Sequence, residues 1–165
     1  MLILRIGELR VAAEPAAADE IIERAGRLPL ALAIVAARAA IHPQFSLADV
    51  VSDMRSYERP LDAFAAGEPI SDVRTVISWS YEALSPAARR AFRALGQRSS
   101  AEVSVDEAAA MLQVDAAAAG RLLDELLQTH LIQPAGPGRY VMHQLNHAFA
   151  AELAAAAPRR ASQST

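Results

Sequence analysis

The chain has 165 residues, a formal net charge of −3 and no cysteine. That length suits one ordinary domain or two small ones with a core of their own, and the missing cysteine excludes disulfide staples, thiolate metal sites and a cysteine nucleophile. Every basic side chain other than histidine is Arg, so neither a phosphate-loop lysine nor a Schiff-base lysine lies on this stretch.

The opening segment MLILRIGELR reaches Arg5 after four apolar residues, too few for the core of a secretion signal. No apolar run approaches the roughly 20 residues of a membrane span, so a cytoplasmic location is expected. Pro15 opens the segment PAAADEIIERAG and Gly26 closes it, the usual asymmetry of helix boundaries. A second helix is predicted from Pro29, where a missing N–H costs nothing, to about Ala40. It is apolar all round, which predicts burial. Ser46 is placed to cap a helix whose Leu47, Val50, Val51 and Met54 share a face. Pro60, Gly67 and Pro69 then punctuate the chain, predicting a first domain over 1–66 and a second over 67–157.

In the second half, Val73, Val76, Ile77, Tyr81 and Leu84 line one helix face. Ser85-Pro86 starts a further helix to Leu95, with Ala88, Phe92 and Leu95 inward. Ser104 and Glu107 have the spacing of a capping box ahead of Val105, Ala108, Ala109 and Leu112. Asp115 caps the next helix, which carries Ala119, Leu122, Leu123 and Leu126. QPAGPGRYVMH reads as a short hairpin, followed by a helix with Leu145, Ala148, Phe149 and Leu153. The fold class is therefore all-α with a small β-hairpin, and the order helix, helix, helix, hairpin, helix is that of a winged helix. The polar tail 158–165 is expected to be disordered.

Several features carry candidate chemistry. The Gly26-to-Pro29 stretch is either a tight turn between helices or a helix start with free N–H groups and a flat Pro ring facing a nucleotide. His143 and His147 stand four apart, but without Cys or a zinc-protease motif no metal site is expected. No Gly-flanked Ser elbow accompanies the Ser and His residues, so no catalytic residue is assigned and enzymatic activity of this chain is not expected. Arg89, Arg90, Arg93 and Arg98 load one helix with charge, read either as a solvated face or as a contact for phosphate or an acidic partner. Across 101–130 the acids Glu102, Asp106, Glu107, Asp115, Asp124 and Glu125 face a lone Arg121, so direct DNA binding by this fragment is not expected.

Three segments resemble a known family in its own order. GRLPLALAIVAARAA is similar to the GLPLAL segment of NB-ARC-type signalling ATPases of the STAND class. VISWSYEALSPAARRAFRALG resembles their following Ser-Tyr-x-x-Leu signature, and GRYVMHQLNHAFAAELA the segment that ends in their Met-His-Asp motif. The nearest likeness within the class is to SARP-type bacterial transcription regulators. The resemblance covers about Ala13 to Ala156 and implies an ARC-type helical segment followed by a winged helix. It implies that Pro29, flanked by Leu28 and Leu30, packs on the base and sugar of a bound nucleotide. It further implies that His143 reaches the β-phosphate of ADP, with Gln144 in place of the motif's Asp. On this resemblance the phosphate-loop domain is expected ahead of residue 1, and it and the effector domains are the partners. ADP or ATP is then a cofactor of the parent protein and not of this chain alone. The rival readings are a DNA-binding winged-helix regulator and a helical protein-interaction module that uses no nucleotide.

Overall fold

The computed structural model of the protein describes residues 6–65 and 72–156. The expected division at 66/67 with its Gly67 and Pro69, and the tail 158–165, lie outside them. The chain forms two compact units, Met1–Glu82 with His143–Leu145, and Ala83–Met142 with Asn146–Thr165.

The first unit contains α1 (Glu8–Ala13), α2 (Pro15–Arg24), α3 (Pro29–Ile41), α4 (Leu47–Ser56), a 3₁₀ turn (Pro60–Phe64) and α5 (Val73–Glu82). Proline opens α2, α3 and the 3₁₀ turn, positions where its fixed φ helps and its missing N–H is not needed. Ser46 and Asp49 form a full capping box at the start of α4. The core gathers Ile21, Val35, Leu47, Leu61 and Phe64, all at most 1% exposed, with Ala18, Ala25, Ala31, Ala36 and Ala39 between them.

The prediction that α3 is buried all round is corrected. Ala31, Ile34, Val35, Ala36 and Ala39 go inward. Leu28, Leu30, Leu32 and Ala37 are half-buried, and Ile41 is 72% exposed. An amphipathic stripe is all that one packed face requires; here the opposite side stays apolar as well. On α5, Val73 and Ile77 are buried, whereas Val76 and Trp79 are exposed.

The second unit contains α6 (Pro86–Leu95), β1 (Glu102–Ser104), α7 (Val105–Leu112), α8 (Ala116–Gln128), β2 (Gln133–Pro134), β3 (Arg139–Val141) and α9 (Gln144–Ala156), whose first two residues count with the first unit. Ser85, Ser104 and Asp115 cap α6, α7 and α8, each accepting from the backbone N–H three residues on. The hairpin is present, but the sheet has three antiparallel strands in the order β1-β3-β2, with Val103 opposite Tyr140. β1 escaped the sequence reading because three residues with one buried side chain carry no alternation; its pairing with β3 creates it.

Three sharp ends shape these helices. Gly26, Gln113 and His130 take left-handed φ of 58°, 56° and 59°. At the end of α2, Gly26 N–H donates to the Glu23 carbonyl at 2.9 Å and Arg27 N–H to that of Ile22 at 3.1 Å. That is a Schellman closure, which satisfies carbonyls the helix end would otherwise orphan. Gly96 plays a different part. A Cβ there would lie 2.5 Å from the backbone of Ala150 and Ala151, so only glycine permits the approach of α9.

Candidate functional site

The turn at Gly26 sets the first element of the site. The Schellman closure turns the chain through Arg27, itself left-handed at 57°, into Leu28 and then Pro29 as the first residue of α3. Leu28 and Leu30 are half-buried and Pro29 is exposed. No side chain caps the start of α3. A helix start of this kind keeps backbone N–H groups available to an acceptor.

The second element arrives from the other end of the chain. His143 follows β3 and is half-buried; Gln144 begins α9 and is exposed. A Cβ built on Gly26 would lie 3.9 Å from the His143 Cβ and 3.6 Å from the Leu145 Cγ. The glycine turn and the residue after the hairpin are therefore packed neighbours within the first unit. Their separation in sequence hides this contact between two segments that the family resemblance assigns to one nucleotide. Gln144 lines a small cavity of about 50 Å³ with Arg24 and Arg55. Both guanidinium groups bind the Glu20 carboxylate, Arg24 Nε at 2.8 Å and Arg55 Nε at 2.8 Å. Arg55 above all, then Arg24, holds the Glu20 carboxyl below the usual range.

His143 and His147 do not form a pair. His143 precedes the helix, and His147 lies 2.9 Å, through Nε2, from the Arg98 carbonyl in the second unit. Among the described residues no cluster of three potential metal ligands occurs. Arg98 is also not on the α6 face: the helix ends at Leu95, and Arg98 packs half-buried with its Nη2 donating to the Glu102 carbonyl at 3.2 Å.

In the second unit the face that would read a duplex is the exposed side of α8. It presents Ala116, Ala117, Arg121, Asp124 and Gln128. Recognition helices contact base edges mainly from their first turns, and here those turns carry alanine. The face is less acidic than the count over 101–130 implies. Glu125 turns inward, its carboxylate accepting from the Ser85 N–H and hydroxyl. Glu102 pairs with Arg139 at 3.1 Å, and Glu107 caps α7.

The chain is similar to Regulatory protein AfsR. Over 145 residues, 88% of the chain, it is 36% identical to that protein from Streptomyces coelicolor and 35% identical to the one from Streptomyces griseus. The matched stretch is 14% and 15% of those two proteins, so the chain spans about one seventh of the relatives it matches. No protein-family model and no solved structure matches it. No helix among the described residues is long and apolar enough to cross a membrane.

Sequence reasoning missed the charged residues that tie this region together. Glu14 accepts from the Leu47 and Ala48 N–H groups at 2.9 and 3.0 Å, closing the start of α4 from α2's own N-cap position. Arg10 donates to the Ala39 carbonyl at 2.7 Å and to that of Phe45, closing the end of α3. Arg38 donates to the Ala63 and Ala65 carbonyls, both at 2.7 Å. A charged residue facing a distant helix end has no local pattern to reveal it. Asn146, buried with its Nδ2 on the Leu131 carbonyl at 3.0 Å, is hidden in the same way.

Proposed function

We propose that this chain is the relay segment of a transcription-regulating protein. Its first unit closes one side of an ADP/ATP pocket whose phosphate-binding domain lies elsewhere in the parent protein, and its second unit passes the nucleotide state to effector domains. Similarity to Regulatory protein AfsR supports the regulatory part of this reading. The observation that supports the nucleotide part is the packing of the Gly26 turn against His143 and Leu145. Pro29, exposed at the start of α3, follows Gly26 by three residues, and the His143 Cβ lies against the turn. An imidazole N–H to a phosphate oxygen is a charge-assisted bond worth about 1.5–3 kcal/mol. Made in the ADP state alone, it would hold the closed form. The chain itself is proposed to catalyse nothing and to work in the cytoplasm. The test is the ADP-induced melting shift of a protein that joins this chain to a nucleotide-binding domain, with and without His143→Ala.

A second reading, duplex binding by the winged helix, is favoured by one observation. The Glu102 charge is offset by Arg139, and Glu125 is turned inward onto Ser85, so fewer bare carboxylates face outward than the count over 101–130 implies. Against it stand the alanine-lined first turns of α8. A mobility shift at about 150 mM salt decides between them. The relay reading expects no retained specific band. A specific band lost on Arg121→Ala would make the second unit a DNA reader.

A further inference from the structure

The groove between α3 and α4 in the first unit has no part in the reading above. It encloses about 690 Å³, within the range of small-molecule sites. Its floor is apolar and well buried: Val35 is 1% and Met54 5% exposed, with Val50 half-buried beside them. Aromatic rings stand at its ends. Phe45, 50% exposed, stacks obliquely on His42 with ring centres 5.5 Å apart, and Tyr57 follows the last turn of α4.

The polar groups of this groove are unequal. Arg38 has its terminal nitrogens occupied by the Ala63 and Ala65 carbonyls. Asp49 and Asp53 lie one turn apart on α4 and both line the groove. Residues four apart on a helix share a face. Asp49 uses only Oδ2 for Ser46, accepting from its N–H at 2.8 Å and its hydroxyl at 2.7 Å, which leaves Oδ1 open. Ser46 holds that carboxyl below its ordinary range. The Asp53 carboxylate has no hydrogen-bond or ion-pair partner among the described residues; its backbone carbonyl alone accepts, from the Ser56 hydroxyl. Open carboxylate oxygens thus border an apolar floor flanked by rings.

We infer that this groove binds a small organic cation with an apolar body, its ammonium group on Asp49 and Asp53 and its carbon skeleton over Val35, Val50 and Met54. The rings of Phe45 and Tyr57 add the attraction of aromatic faces for a cation. The inference is independent of the nucleotide reading, which uses none of these residues.

The test is a titration of hexylammonium into the full 165-residue chain, followed by amide NMR, with hexanol and hexanoate as matched neutral and anionic probes. Hexylammonium should saturate with a Kd below about 1 mM and shift the amides of Val50, Asp53 and Met54, and each control should bind at least about tenfold more weakly. Asp53→Asn should weaken the cation about tenfold with the melting temperature unchanged, because that carboxylate has no structural partner. Val50→Trp should abolish binding by filling the groove. Absence of saturation at about 10 mM, equal binding of the three probes, or indifference to Asp53→Asn would overturn the inference. So would saturation by an arginine-rich peptide without any by hexylammonium, which would make the groove a protein-docking surface.

Discussion

The two units close their helices with a different balance of means. In the second, the starts of α6, α7 and α8 have local caps, with Ser85, Ser104 and Asp115 serving the N–H three residues on, and the Glu125 carboxylate joins from afar at Ser85. In the first, Ser46 does the same, but much of the closure comes from charged side chains far away in sequence, Arg10 on the end of α3, Glu14 on the start of α4 and Arg38 on the 3₁₀ turn. The cores are alike in make-up: the first buries Ile21, Leu47, Leu61 and Phe64 and the second Phe92, Leu123, Leu126, Leu131 and Ile132, each with alanines between them. The 690 Å³ groove, however, lies in the first unit. What sets the first unit apart is therefore its remote clamps and its groove, not the size of its buried side chains.

The second unit's side of this comparison can be broken most forcefully at Gly96. Its Cβ would meet the Ala150 backbone at 2.5 Å, and backbone cannot yield as a flexible side chain can. Gly96→Ala should cost the second unit about 1–3 kcal/mol by overpacking, read as lost hydrogen-exchange protection in α6 and α9. Unchanged protection would show that the second unit is not closely packed there.

Next come the caps. Glu14→Ala strands two N–H groups of α4 and should cost about 1–2 kcal/mol. Ser104→Ala removes a local cap and should cost about 1 kcal/mol. Denaturant unfolding of both variants checks the order. A Glu14 effect below that of Ser104 would mean that the remote clamps of the first unit are decorative.

The smallest effect is pH-dependent. Glu20 has its carboxyl lowered by Arg55 and Arg24, and Glu107 has its own lowered first by the Ser104 N–H. A folded pKa below the unfolded one stabilises above the unfolded value and loses that contribution as the pH falls through the folded one. Glu20→Gln should therefore lower the melting temperature slightly at pH 7, and the gap to wild type should close as pH drops below about 4. A constant gap would assign Glu20 a role that does not depend on its charge.

Much of the fold is legible in the sequence because its signals are local. Pro29 opens α3, Gly26 closes α2, and the Ser104–Glu107 box opens α7 as their spacing predicts. Gln113 and His130 show where such reading stops, since they take the left-handed conformation that glycine usually marks. β1 was illegible because its partner strand lies far along the chain. Of the candidate site, Leu28, Pro29, Leu30 and His143 were named from the sequence through a family resemblance. What spacing could not tell is that Gly26 packs against His143 and Leu145, since that contact depends on the whole intervening fold. The clamps of Arg10, Glu14 and Arg38, and the open carboxylate of Asp53, were equally invisible for want of any periodic signature.

The most direct measurement of the relay reading is nucleotide-induced melting of a protein that joins this chain to a nucleotide-binding domain. A ligand that binds only the folded closed state raises the melting temperature by mass action. The relay reading predicts that His143→Ala shrinks the ADP-induced rise while leaving the ATP-induced rise intact, since the imidazole bond belongs to the ADP state. Pro29→Ala should shrink both together, because the base is common to the two nucleotides. An ADP-induced rise unchanged by His143→Ala would contradict the account and leave His143 as a packing neighbour of Gly26 and nothing more.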